Sequence, residues 1–131
     1  MNKNINIDLF QKIDFISHAG LPLTWKLECD AISKDEWIAL AHIIREYEKQ
    51  DWHKAVGIPR GGVPLGEALN KYSTGDPKDP VLVVDDVYTT GKSFKDYVKE
   101  NYPNDNVIQW AVFARKPTED GVKALFTMPS K

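Results

Sequence analysis

Cysteine is almost absent from this sequence: Cys29 is the only one among 131 residues. An intrachain disulfide and a cysteine metal cage are both excluded, and the chain suits a reducing compartment. An excess of charge of one sign is missing too. Lys and Arg number 17 against 19 Asp and Glu, a formal net charge of −2. That leaves no basic field to hold a nucleic-acid backbone, so a nucleic-acid partner is not expected. Long apolar runs do not occur. The opening residues, MNKNINIDLF, carry no signal-peptide core, and no stretch approaches the length of a membrane span. A cytoplasmic protein with no membrane partner is the expectation. Internal repeats and low-complexity tracts are also lacking. What is present suits one globular domain: 42% hydrophobic and 27% charged residues can build a core and keep its surface wet.

The pattern along the chain alternates strands with helices. A short helix is expected around 7–16, then a loop, HAGLPL, and a strand in TWKLECDAI. Ser33 followed by Glu36 has the spacing of a capping box, in which each side chain bonds the other residue's backbone N–H. It predicts a helix over 35–50 whose apolar face is Trp37, Leu40, Ala41 and Ile44. A short buried strand is expected over 54–58, a turn at Pro59-Arg60-Gly61-Gly62, and a helix over 63–72. Residues 81–84, VLVV, read as a central parallel strand because they are apolar without interruption. Two acids, a Thr/Gly turn and a helix over 93–101 follow. Further strands are expected over 107–114 and 124–128. The fold class is therefore α/β, a mainly parallel sheet flanked by helices. Ligands in such sheets sit at the carboxyl ends of strands, where both glycine-bearing turns fall.

The chemistry concentrates in VLVVDDVYTTGKS, residues 81–93. The strand delivers Asp85 and Asp86 to the edge of the sheet. A turn of small hydroxyl residues and Gly91 then opens a helix. Backbone N–H groups at such a turn make an anion site, and the hydroxyls of Thr89, Thr90 and Ser93 can add donors. Two carboxylates beside a phosphate cradle would repel a polyphosphate. They make sense facing sugar hydroxyls or a hydrated magnesium ion. A nucleotide-triphosphate P-loop is excluded, because it needs glycine five positions before Gly91 and Asp86 stands there. No GxGxxG occurs, so the dinucleotide fingerprint is absent. The competing structural reading is a strand and turn with a solvated acidic tip.

Residues 81–93 resemble the motif with which type I phosphoribosyltransferases bind 5-phosphoribosyl 1-diphosphate (PRPP). The resemblance implies that fold, with a small N-terminal hood over 1–32 and a core over 33–131. It implies that Asp85 and Asp86 meet the ribose hydroxyls or magnesium, the metal held through water. Thr89, Thr90, Gly91, Lys92 and Ser93 would cradle the 5-phosphate. Upstream, GIPRGG, residues 57–62, is similar to the family's pyrophosphate loop. There Arg60 would supply fixed positive charge to the diphosphate, and Gly61 and Gly62 would let the backbone approach it. Arg60, Asp85 and Asp86 are the implied catalytic residues. The implied activity is transfer of a phosphoribosyl group from PRPP to a nucleobase, a step of nucleotide metabolism, with magnesium as cofactor.

The acceptor is open between two classes. Lys116-Pro117 resembles the end of the corresponding strand in 6-oxopurine phosphoribosyltransferases, where a lysine meets the exocyclic oxygen. Thr89 stands where those enzymes usually carry aspartate, and is more like the orotate type. His18, Trp25 and Lys26 fall in a segment that loosely resembles the orotate type's hood, although Leu21 replaces its usual lysine. An orotate-like acceptor is the favoured expectation, with Lys116, Trp25, Lys26 and His18 as base-binding candidates. One departure bears on activity. The family's long flexible hairpin, which closes over substrate, is replaced by residues 73–80, an ordinary loop length. A partner subunit in a homodimer could cover the site, turnover could be slow, or the chain could be a non-catalytic PRPP or nucleotide binder. Lys71 and Lys78 could replace lid charges but read better as solvated lysines. Trp37 and Trp110 are expected in the core, His42 on the surface, and His53 after a helix end.

Overall fold

The computed structural model describes residues 32–119 and 121–127. The expected helix near 7–16, the strand in TWKLECDAI and the hood with His18, Trp25 and Lys26 lie outside these residues.

Helix α1 spans Lys34–Tyr47 and starts on the expected capping box. Ser33 Oγ accepts from the Glu36 N–H at 3.2 Å, and Glu36 Oε1 accepts from the Ser33 N–H at 2.7 Å. Its buried residues are Trp37, Leu40, Ala41 and Ile44, the stripe read from the sequence. The helix stops at Tyr47 rather than Gln50, because Glu48 leaves helical geometry and turns its carboxylate into the core. There it accepts from Trp110 Nε1 at 2.8 Å, Lys123 Nζ at 2.7 Å and the Gln50 N–H at 3.1 Å. Burial pushes the Glu48 pKa up. The hydrogen bonds from Lys123, Trp110 and Gln50, with the Lys123 charge, outweigh it and hold the carboxyl below its ordinary value.

Strand β1 is Lys54–Gly57, followed by helix α2, Val63–Asn70. Strand β2 is Val81–Tyr88, followed by helix α3, Lys92–Asn101. Among the described residues, strands β3, Val107–Ala114, and β4, Val122–Thr127, join them in a four-stranded sheet of order β1-β2-β3-β4. Every pairing is parallel, so the carboxyl ends of all strands share one edge. The class is α/β with a parallel sheet flanked by helices. No helix among the described residues is long and apolar enough to cross a membrane.

Alternation along β2 sends Leu82 and Val84 to one face, against Leu65 and Leu69 of α2 and Leu40 and Ile44 of α1. Val81 and Val83 face the other side, with Phe94 of α3. Each fully buried aliphatic or aromatic side chain contributes roughly 1.5–3 kcal/mol by leaving water. Both helical crossovers step the same way across the sheet, yet α2 and α3 pack on opposite faces. One of the two therefore departs from the usual right-handed sense. Helix α2 ends at Asn70, earlier than expected, where the Tyr72 N–H turns back to Leu69 O at 3.0 Å and the Ser73 N–H to Asn70 O at 3.1 Å, and the Asn70 side chain braces the sheet. Its Oδ1 accepts from the Ala55 N–H of the edge strand at 3.1 Å and from Ser73 Oγ at 2.7 Å. Among the described residues this occupies a donor of β1 that no neighbouring strand takes up.

Candidate functional site

Two glycine turns leave the carboxyl edge of the sheet, one from β1 and one from β2. The first leaves β1 at Gly57. The Ile58 N–H donates to Val84 O at 2.8 Å, and the Gly62 N–H returns to Ile58 O at 2.9 Å, closing a tight loop. Within it the Pro59–Arg60 bond is cis. A Cβ on Gly57 would overlap the Gly62 carbonyl, and one on Gly62 would lie 2.6 Å from Val84 O. Only glycine lets these backbones approach. Arg60 stands exposed at the tip and has no ion-pair partner among the described residues.

The second turn leaves β2. That strand runs to Tyr88, four residues past the expected end at Val84, so both acids belong to the strand. Asp85 is buried, at 8% exposure, and its Oδ1 accepts from the Asp86 N–H at 2.8 Å. Asp86 is half-buried. Its carboxylate lies over Gly61, where an ideal Cβ would come within 2.7 Å of Asp86 Cγ. Residues that stand 25 positions apart in the sequence thus share one surface.

Gly91 is the N-cap of α3, in the left-handed region at φ 87. The Lys95 N–H closes the first helical bond to Gly91 O at 3.0 Å, which leaves the Ser93 and Phe94 N–H groups without helical acceptors. Thr90 Oγ1 accepts from the Lys92 N–H at 3.3 Å. Thr89 is half-buried, and Thr90 and Ser93 are exposed beside this turn. The arrangement offers backbone donors and hydroxyls to an anion. Lys92 contributes less directly: its ammonium reaches along the helix to Asp96 at 2.6 Å. The Asp96 hydrogen bond, then the Asp96 charge, raise the Lys92 pKa.

Lys116 follows β3 on the same edge and is half-buried. Arg60, Gly61, Gly62, Asp85, Asp86, Thr89, Thr90, Gly91, Lys92, Ser93 and Lys116 therefore all fall at one end of the sheet. Sequence reading assigned no role to Tyr88. Its side chain is 1% exposed, and its hydroxyl accepts from the Glu119 N–H at 3.1 Å. No run of apolar residues marks it, because Asp85 and Asp86 precede it and Thr89 and Thr90 follow it.

Residues 73–80 sit at the opposite edge. The Thr74 N–H and hydroxyl donate to Trp52 O at 2.9 and 3.2 Å, and the Gly75 N–H donates to His53 O at 3.0 Å. The His53 N–H donates to Pro80 O at 2.7 Å. This loop is fastened to the amino ends of β1 and β2, and Lys78 is an exposed lysine there. A groove of about 630 Å³ between α1 and α2, lined by Ile32, Trp37, Ile38, Pro64, Ala68 and Lys71, contains none of the eleven residues gathered at the carboxyl edge.

No family model matches this chain, and no curated protein matches it as a relative.

Proposed function

We propose that the chain is a nucleobase phosphoribosyltransferase of the type I fold, using PRPP and releasing diphosphate. The observation that carries this reading is that both glycine turns leave the same carboxyl edge of the sheet, with the Asp86 carboxylate of β2 packed on Gly61. An anion cradle at Thr89–Ser93 and a cationic turn at Arg60 then flank a pair of acids. That is the charge pattern a sugar carrying phosphate at one end and diphosphate at the other would need. In the reaction a base nitrogen forms a bond to the anomeric carbon as the bond to diphosphate breaks. Arg60 and the backbone amides of the first turn would hold the departing diphosphate, and Asp85 and Asp86 would stabilise the cationic sugar.

The residues suit magnesium only as a shared, hydrated ion. Among the described residues no group of three or more His, Cys, Asp or Glu could hold a metal. Asp85 is buried and already accepts a hydrogen bond, so half-buried Asp86 is the better placed ligand. One or two carboxylates with waters and substrate phosphates is an ordinary magnesium arrangement. The ion would neutralise charge on the diphosphate. Lys116, two residues past the end of β3, would meet the acceptor, for which an orotate-like base is favoured by Thr89.

The deciding experiment is a panel of nucleobases incubated with PRPP and magnesium and assayed for nucleotide. Formation of one nucleotide supports the enzyme. A second reading is favoured by the fastening of residues 73–80 away from the site. On it the chain binds PRPP or a nucleotide without turnover. PRPP binding with every base inactive would select that reading.

A further inference from the structure

Tyr88 holds both ends of the segment 115–119. Its carbonyl accepts from the Arg115 N–H at 3.0 Å, and its hydroxyl accepts from the Glu119 N–H at 3.1 Å. The same ring forms the floor of the phosphate turn. An ideal Cβ on Gly91 would lie 3.0 Å from the Tyr88 hydroxyl and 3.1 Å from its Cε2. Phe94, in the first turn of α3, packs beside it with ring centroids 6.2 Å apart. The ring is nearly fully buried, so it cannot shift without moving its neighbours. One side chain thus touches the turn that would seat the phosphate and the segment that carries Lys116.

We propose that Tyr88 is a positioning residue that couples these two places: a phosphoribosyl group seated on the Thr89–Ser93 turn orders residues 115–119, and so prepares the acceptor side of the site. This rests on the phosphoribosyl reading above. Holding the turn against the ring favours the conformation in which the hydroxyl meets Glu119, and this confers order on a segment the ligand does not touch. The acceptor would then bind better after the phosphoribosyl group than before it, as reciprocal coupling requires.

Amide hydrogen exchange with ribose 5-phosphate as the probe tests this, on wild type and on Tyr88→Phe, which keeps the ring and removes the hydroxyl. In wild type, saturating probe slows exchange both in the turn, 90–94, and in 115–119, the latter roughly fivefold, the equilibrium constant of one ordinary hydrogen bond. In Tyr88→Phe the turn is still protected and 115–119 no longer responds. Glu119→Pro removes the donor from the other side with Tyr88 in place. It must show the same uncoupling, and it decides the matter if Tyr88→Phe does not fold. A response at 115–119 that survives in the variant, or is absent from wild type while the turn is protected, overturns the coupling and leaves the phosphoribosyl reading standing. Absence of protection at the turn in wild type overturns both.

Discussion

The carboxylate of Asp86 occupies the space above Gly61, so that an ideal Cβ on that glycine would lie 2.7 Å from Asp86 Cγ and 2.8 Å from Oδ1. The contact joins the end of the edge strand β1 to the second acid of the central strand β2. It also sets how far Arg60, one residue earlier, stands from the acid pair. The rest of the junction is backbone against backbone. Gly62 approaches Val84 O, and Gly66 in α2 lies against the Gly57 N–H, where a Cβ would fall 2.5 Å away.

These two kinds of contact predict different outcomes for alanine. In Gly61→Ala the methyl group displaces a half-buried carboxylate, which can rotate into solvent. Stability should fall by no more than about 1 kcal/mol, while PRPP affinity drops at least about tenfold as Asp86 leaves its place. In Gly57→Ala the methyl overlaps the Gly62 carbonyl, and backbone must move. The loss should exceed about 2 kcal/mol. Urea denaturation with calorimetric titration separates the two; equal stability losses would contradict the packing.

Gly91 predicts a turn defect. Its left-handed φ of 87 costs a residue with a Cβ roughly 1–2 kcal/mol, and the Tyr88 hydroxyl stands 3.0 Å from that Cβ position. Gly91→Val should lose stability by about this amount or more and lose affinity for ribose 5-phosphate as well as PRPP. If ribose 5-phosphate binds the folded variant normally, the turn is not the cradle.

Glu48 predicts a pH dependence unrelated to the site. Its folded pKa lies below the ordinary value of 4.5. Its contribution is therefore complete above that value and is lost as pH falls through the depressed folded value. Glu48→Gln keeps an acceptor for Trp110 but loses the ion pair with Lys123. Because Lys123 is 48% exposed, solvent screens the pair, and a loss of about 1–3 kcal/mol at pH 7 is expected, mostly from the Gln50 N–H left facing the amide NH2. The difference between variant and wild type should shrink as pH falls below 4.5. Denaturation midpoints from pH 3 to pH 7 would show it; a constant difference would mean Glu48 acts only by packing.

Asp86 and Asp85 should separate in their effects. Half-buried Asp86 is free to meet a ligand, so Asp86→Asn should weaken magnesium-dependent PRPP binding with little change in stability. Asp85 is buried and accepts from the next residue's N–H, so Asp85→Asn should cost about 1–3 kcal/mol of stability in addition. Calorimetry beside thermal unfolding distinguishes them. A folded Asp86→Asn with undiminished affinity removes that residue from the site.

Local signals were legible in the sequence where local chemistry decides. The Ser33–Glu36 box, the stripe from Trp37 to Ile44 and the strand 107–114 depend on residues within a few positions of one another. The shared edge of both glycine turns followed from strand order and parallel pairing. Tertiary partners decided the rest. Helix α1 ends early because Glu48 answers Trp110 and Lys123, far along the chain. β2 continues through two acids because Val87 and Tyr88 are buried beyond them, a continuation hidden by reading the polar pair as a strand end. The role of Tyr88 depended on Glu119 N–H, which no periodicity places.

Arg60 carries the prediction that separates an enzyme from a binder. It stands exposed at the tip of the first turn, with no ion-pair partner among the described residues, so its charge is available to a ligand. In an enzyme, charge grows on the diphosphate as the bond to the anomeric carbon breaks. Arg60 should then contribute more in the transition state than in the ground state. Arg60→Ala should lower turnover more than it weakens PRPP affinity, by about 2–4 kcal/mol of transition-state stabilisation, the scale for one preorganised donor. Because Arg60 is outside the core, the variant should unfold like wild type, so the loss cannot be assigned to the fold. Steady-state kinetics beside equilibrium binding, once an accepted base is known, makes the comparison. Equal losses in affinity and turnover would mean that Arg60 only binds. Turnover left intact would mean that the turn at residues 57–62 does not hold diphosphate, and the site would shrink to the acids and the Gly91 turn.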